Sequence, residues 1–217
     1  WRALVAEEFT LPNVRRVAQA VAVYLKRHRV SGRALSVIVG YDTRPLGDRF
    51  AQAVAEVRAG NGFKVLLTEG PLPTPAISFG IRELRLAGGV AVTASHNPFT
   101  YNGLKFKPYS AGPAELEMTR WIEQHLPPAT DGADGGLRPL RAVGPVGIRK
   151  ISLEEGIARG RIRRIDLTSR YLAFLKRYVE WPVLKKARFR IAYDSMWGAG
   201  EGLLQRLVAG SRLQVIP

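Results

Sequence analysis

The sequence predicts an α/β fold: a mixed, mostly parallel sheet covered by helices, followed by the start of a second, similar α/β unit. Strand-length apolar runs alternate with segments whose apolar residues recur at helical spacing, the order that builds parallel sheets through helical crossovers. Several of those runs are continuously apolar, as strands covered on both faces are. A stretch rich in Pro and Gly, from Pro127 to about Gly147, sets the division. Residues 1–147 are read as the first domain, and residues 148–217 as a linker and the incomplete opening of a second.

In chain order, "NVRRVAQAVAVYLKRH" carries Val14, Val17, Ala18, Val21 and Leu25 on one helical face, with Thr10 or Asn13 as its cap. "ALSVIVG" reads as a doubly covered strand. The helix after it has Pro45 in its first turn, where no amide donor is needed, and ends at Gly60 or Gly62. "FKVLLT" is the next strand, and "PTPAISFGIREL" the next helix, capped by Thr74 with Pro75 just inside. "GGVAVTA" is a third strand. In "GLKFKP", Leu104 and Phe106 share one face while Lys105 and Lys107 share the other. "PAELEMTRWIEQHL" reads as a helix, and "SLEE" as a capping box opening a short one. "TSRYLAFLKRYVE" is a helix, "RFRIAYD" a strand, and "SMWGAGEGLLQRLV" a glycine-rich turn running into a helix.

Composition limits function. The 217 residues are 46% hydrophobic, a globular proportion, and no run reaches the ~18 apolar residues of a membrane span. No secretory signal opens the chain. With no cysteine, disulfides, thiolate metal sites and a cysteine nucleophile are excluded, and a cytoplasmic location is permitted. The chain starts at Trp1 and closes on "RLQVIP", a strand with nothing after it, so it reads as a fragment. A formal charge of +15 favours anionic partners. The densest basic cluster, Arg159 to Arg170, lacks the interleaved aromatics that stack bases, so nucleic acid is disfavoured as a partner. A non-catalytic polyanion- or nucleic-acid-binding module built on that cluster is the alternative reading.

In parallel sheets, sites form just past the carboxyl ends of strands, where "YDTR" and "TASHNP" both fall. Ser95 lacks the Gly-x-Ser-x-Gly elbow of a serine hydrolase. Two readings of the residues remain: a polar turn stopped by Pro98, or a phosphoryl-carrying serine with His96, Asn97 and Lys105 as donors or acid–base groups. For Arg44, an ion pair with Asp42 or Asp48 stands beside a phosphate contact. "DGADGG", Asp131 to Gly136, has too few carboxylates for a Mg²⁺ site and reads as a glycine loop. "GAGEG" lacks nucleotide-loop spacing, and His28 and His125 read as helix-end residues.

"TASHNP" followed by "YNGLKFK" resembles the phosphoserine loop of the α-D-phosphohexomutases, the phosphoglucomutase and phosphomannomutase family. The likeness extends to "VGYDTRPLGDRFAQAVAEVRAGNGFKVLL", to "PLPTPAISFGIREL" and to "YDSMWGAG", and so over nearly the whole chain. It implies that Ser95 carries the catalytic phosphate, that His96 flanks it, and that Lys105 is a general acid or base. It further implies that Arg2, Arg44 and Asn97 lie at the substrate or phosphate. The implied reaction moves phosphate between the 1 and 6 positions of a hexose phosphate through a bisphosphate, which also serves as activator. The implied cofactor is Mg²⁺, held by the serine phosphate and by aspartates expected beyond Pro217. On this reading the isolated fragment is inactive. Neither the preferred hexose phosphate nor the oligomeric state is encoded in these residues.

Overall fold

The computed structural model describes residues 1–129 and 147–216. Its main body is a six-stranded sheet in the order β1-β5-β4-β2-β3-β6. The strands are β1 (Arg2–Leu4), β2 (Ser36–Tyr41), β3 (Lys64–Thr68), β4 (Gly88–Val92), β5 (Tyr101–Pro108) and β6 (Ile162–Ile165). The block β4-β2-β3-β6 is parallel, while β5 runs antiparallel to β4, and β1 antiparallel to β5. The predicted mixed, mostly parallel sheet is thus present.

Helices cover both faces. The pleat sends alternate residues to opposite sides. Val37 and Val39 of β2 and Val65 and Leu67 of β3 face one core, with α1 (Leu11–Arg27), α2 (Gly47–Gly60), α4 (Leu116–Gln124) and α5 (Leu153–Ala158). Ile38 faces the other core, with α3 (Thr74–Glu83) and α6 (Thr168–Leu175) supplying Ile77, Ile81 and Tyr171. The amphipathic α1 is capped by Thr10, whose hydroxyl accepts from the Asn13 amide at 3.4 Å. The Ser152 hydroxyl caps α5 through the Glu155 amide at 3.1 Å.

Three local expectations change. Pro45 precedes α2 rather than lying in it, because a turn closed by Gly47 N donating to Arg44 O at 3.0 Å comes first. Thr74 is the first residue of α3 and caps nothing; Pro73 stands at the cap. Residues 148–165, read from sequence as belonging to the following unit, return to the first sheet, with β6 pairing in parallel along β3. In β6, Arg163 and Arg164 are exposed, so the strand reads in sequence as a charge cluster. Charged residues on an edge strand keep it from pairing with other chains. Within the basic cluster, Arg159 is ion-paired to Glu155 at 2.7 Å, and Arg161 donates to Gly62 O at 3.3 Å.

Beyond α6 lie a short 3-10 turn, α7 (Trp181–Lys186), β7 (Arg190–Ala192), α8 (Leu203–Val208) and β8 (Gln214–Ile216). β7 and β8 pair in parallel as a separate two-stranded sheet, the predicted second α/β unit. "DGADGG" lies outside the described residues. No helix among the described residues is long and apolar enough to cross a membrane.

One buried group opposes this packing. Arg58, on α2, is 1% exposed, and its Nε and Nη1 have no hydrogen-bond partner among the described residues. The Phe63 ring lies 5.8 Å from its guanidinium carbon, and burial lowers its pKa to about 9. A buried charge with unsatisfied donors is destabilising, and an apolar replacement of similar length relieves it. Arg58→Met is expected to raise unfolding stability by about 1–3 kcal/mol, the desolvation penalty of such a group. Denaturant melts measure it, and a loss of stability would show that the guanidinium is satisfied.

Candidate active site

Four chain segments converge where the parallel strands end. After β2 come Asp42, Thr43 and Arg44; after β3, Pro73 to Pro75; after β4, Thr93 to Asn97; and after β7, Ser195 to Ala199. Together with Lys105 and Phe99 they line a cleft of about 840 Å³, large enough for a small ligand. The carboxyl ends of parallel strands are the expected place for such a site.

Ser95 stands at the turn of the β4 loop with φ 62, in the left-handed region rarely used by non-glycine residues. Its amide donates to Thr93 Oγ1 at 3.0 Å, which fixes that turn. Its hydroxyl lies 3.5 Å from His96 Nδ1, at the outer edge of hydrogen bonding. Ser95 and Asn97 are half-buried, and His96 is exposed.

Arg44 holds this loop from beneath. Its Nη1 donates to Pro98 O at 2.7 Å and to Tyr101 O at 2.9 Å. Its Nη2 donates to Ser95 O at 2.8 Å and to Asn97 O. Nε faces Asp42 Oδ2 at 3.4 Å. All four terminal N–H groups of the guanidinium are therefore directed to backbone carbonyls. Of the two sequence readings for Arg44, the geometry carries the ion pair with Asp42; no terminal hydrogen is left over for a phosphate.

Lys105 reaches the cleft from β5, the strand antiparallel to β4. Ala91 pairs with Lys105, and Val92 with Leu104, so β5 brings Lys105 alongside the serine loop. Leu104 and Phe106 pack against the core while Lys105 faces the cleft, as the alternation predicted. The Lys105 ammonium lies below the ordinary lysine pKa, through burial first and the nearby positive Arg2 second; Asp42 opposes both. Arg2 pairs with Gly103 on β5, which puts it on the same sheet face as Lys105. It opens instead on an adjoining recess that Lys105 also lines, so Arg2 is brought near Lys105 without lining the cleft of Ser95.

The phosphoglucomutase/phosphomannomutase α/β/α domain I family model matches residues 1–131. The chain belongs to this family. It is 35% identical over 184 residues to a phosphoglucosamine mutase of Azoarcus sp., covering 84% of this chain and 36% of that protein. It is 28% identical over 208 residues to a phosphoglucomutase of Komagataeibacter xylinus, covering 92% of this chain and 35% of the relative. A solved structure described as a putative phosphomannomutase from Thermus thermophilus superposes with TM-score 0.79 at 34% identity, over 100% of this chain and 44% of that one. The chain therefore spans about a third of the length of these curated relatives.

Among the described residues of this family member, no cluster of three His, Asp or Glu could hold a metal ion. Asp42, the carboxylate in the cleft, faces Arg44. This donor set does not make a Mg²⁺ site by itself. His28 and His125 end α1 and α4, as expected, each with Nδ1 against a carbonyl of its own helix.

Four residues inside the quoted motifs shape the site although the sequence reading gave none of them a role. Thr93 orients Ser95. The wholly buried Asn102 reaches toward Pro45 O at 3.4 Å and accepts from Gly103 N at 2.8 Å. Thr43 Oγ1 donates to Trp197 O at 2.7 Å, joining the two walls of the cleft. Gly103 is required sterically, since a Cβ there would meet Thr93 O and Trp1 O, each at 2.7 Å.

Arg44→Ala is expected to lower stability by about 2–3 kcal/mol, in the range of charge-assisted hydrogen bonds, and to open the 95–101 loop to proteolysis. Arg44→Lys should restore little of either, since an ammonium cannot copy the planar fork. Thermal melts and limited proteolysis read both effects; full rescue by lysine would refute the clamp.

Proposed function

We propose that this chain supplies the phosphoryl-carrying half of a hexose-phosphate mutase centre. Phospho-Ser95 gives its phosphoryl group to a hydroxyl of a hexose monophosphate. The P–O bond to Ser95 Oγ breaks as a P–O bond to the sugar oxygen forms. Neutral Lys105 takes the hydroxyl proton and returns one to Ser95 Oγ. After the bisphosphate reorients, the other phosphate passes back to Ser95, so that phosphate has moved between positions 1 and 6. Such transfer rests on positioning and charge more than on covalent work by the protein.

The observation that carries the proposal is the clamped, positive-φ Ser95 with its hydroxyl on a cleft that Lys105 shares. The lowered pKa of Lys105 supports its duty, because proton transfer is most effective from a group nearer the working pH. In this reading His96 and Asn97 donate to phosphoryl oxygens, and Arg2 tunes Lys105. In this reading Mg²⁺ would be held by the serine phosphate with carboxylates that the described residues do not supply, and the 217 residues alone do not turn over.

Ser95→Ala in the protein containing this chain is expected to abolish mutase turnover and to remove one phosphoryl group from the intact mass, with an unchanged thermal melt. Near-normal turnover in that variant would refute the proposal. The pH limb of kcat/KM belonging to Lys105 should lie below the ordinary lysine range. Arg2→Ala removes a like charge that lowers this pKa, so the limb should move to higher pH. A limb that stays in place would separate Arg2 from Lys105.

A further inference from the structure

The cleft has a second wall to which phosphotransfer assigns no role. Just after β7 the chain passes through Met196 and Trp197, consecutive non-glycine residues at φ 47 and 58. Backbone of this kind persists only where its surroundings hold it. Met196 N donates to Asp194 Oδ1 at 2.7 Å, and Gly198 N to Ser195 O at 2.8 Å. Trp197 O accepts from Thr43 Oγ1 at 2.7 Å. The result is two large side chains held outward, Met196 80% and Trp197 85% exposed. Phe99, 74% exposed, lines the same cleft from the serine loop. Three of the most exposed large apolar residues among those described thus gather around Ser95 and Lys105.

We propose that Trp197 is the platform on which the sugar ring of the substrate stacks, with Met196 and Phe99 framing it; this rests on the hexose-phosphate reading above. A hexopyranose phosphate has an anionic end, a polar rim and apolar C–H faces. Ser95 and Lys105 meet the end at which phosphate is transferred, and the indole is the largest flat apolar surface the cleft offers to the ring face. Apolar contact is non-directional. It accepts the ring in either of the two orientations that the transfer requires, whereas a set of hydrogen bonds would favour one.

The test uses the full protein. Titration with glucose 6-phosphate is expected to change tryptophan fluorescence saturably, and inorganic phosphate to leave it unchanged. Trp197→Phe should remove that change, because the reporting indole is gone. Trp197→Ala should raise KM for the hexose phosphate roughly tenfold, the factor an aromatic contact supplies, with a smaller effect on kcat and an unchanged melt. Trp197→Phe, which keeps a ring, should recover most of the KM. An unchanged KM in Trp197→Ala alongside phosphorylated Ser95 would overturn the platform and leave the serine reading intact. A missing Ser95 phosphate alongside a normal glucose 6-phosphate response would do the reverse. A fluorescence change that survives in Trp197→Phe, or that inorganic phosphate reproduces, would also overturn the platform. So would a response in which only a protein partner shields the indole.

Discussion

The site depends on one guanidinium. The serine loop between β4 and β5 has no sheet or helix of its own, yet its carbonyls must find donors wherever water is kept out. Arg44 meets that need for Ser95, Asn97, Pro98 and Tyr101 at once, from a side chain that is only 11% exposed. Asp42 faces the same guanidinium at 3.4 Å, which offsets part of the cost of burying the charge. With five donors in a rigid plane, arginine is the side chain able to span four carbonyls. The left-handed Ser95 can then remain in place and present its hydroxyl outward rather than relax into an ordinary turn.

The sheet explains why that clamp reaches its loop. β2 and β4 are adjacent and parallel, so "DTR" and "TASHNP" leave the sheet at the same edge. The antiparallel return of β5 then lays Lys105 directly beside Ala91, on the strand that feeds the loop. A helical crossover to another parallel strand would carry the next residues to the opposite end of the sheet first. A tight reversal followed by an antiparallel strand is the short route that keeps a serine and a lysine ten residues apart on one cleft. Gly103 sets the spacing of that route, because β1 and Thr93 crowd it from both sides.

Most of the central layer was legible because its signals are local. "VIVG", "VLL" and "GGVAV" are apolar throughout, and burial on both faces leaves that pattern no alternative. Strand alternation alone turns Lys105 away from Leu104 and Phe106, while its grouping with Ser95 and His96 rested on the likeness to the phosphohexomutase serine loop. Edge strands were harder. β1 is three residues long, and β6 presents Arg163 and Arg164 to solvent, so its strand character rests on Ile162 and Ile165 alone. The clamp by Arg44 was half legible: the ion pair with Asp42 follows from spacing, but four carbonyls contributed by a loop about fifty residues away do not. Thr43 to Trp197, across 154 positions, has no local trace at all.

That last contact bears on how the two walls of the cleft work together. One wall belongs to the six-stranded sheet and carries Ser95 and Lys105; the other follows β7 and carries exposed apolar side chains. A single hydroxyl-to-carbonyl bond fixes little by itself, since a typical one contributes about 1 kcal/mol net. It acts beside the packing of α8 against α6, and interfaces within a chain commonly allow relative motion. A ligand with its phosphate at Ser95 and its ring on Trp197 would touch both and favour the closed arrangement by its differential affinity. Under the proposed reaction, a bisphosphate that turns over between two transfers would need both conditions, a wall that can give way and a serine that does not move. The clamp beneath Ser95 and the separate unit that carries Trp197 would divide those two demands between them.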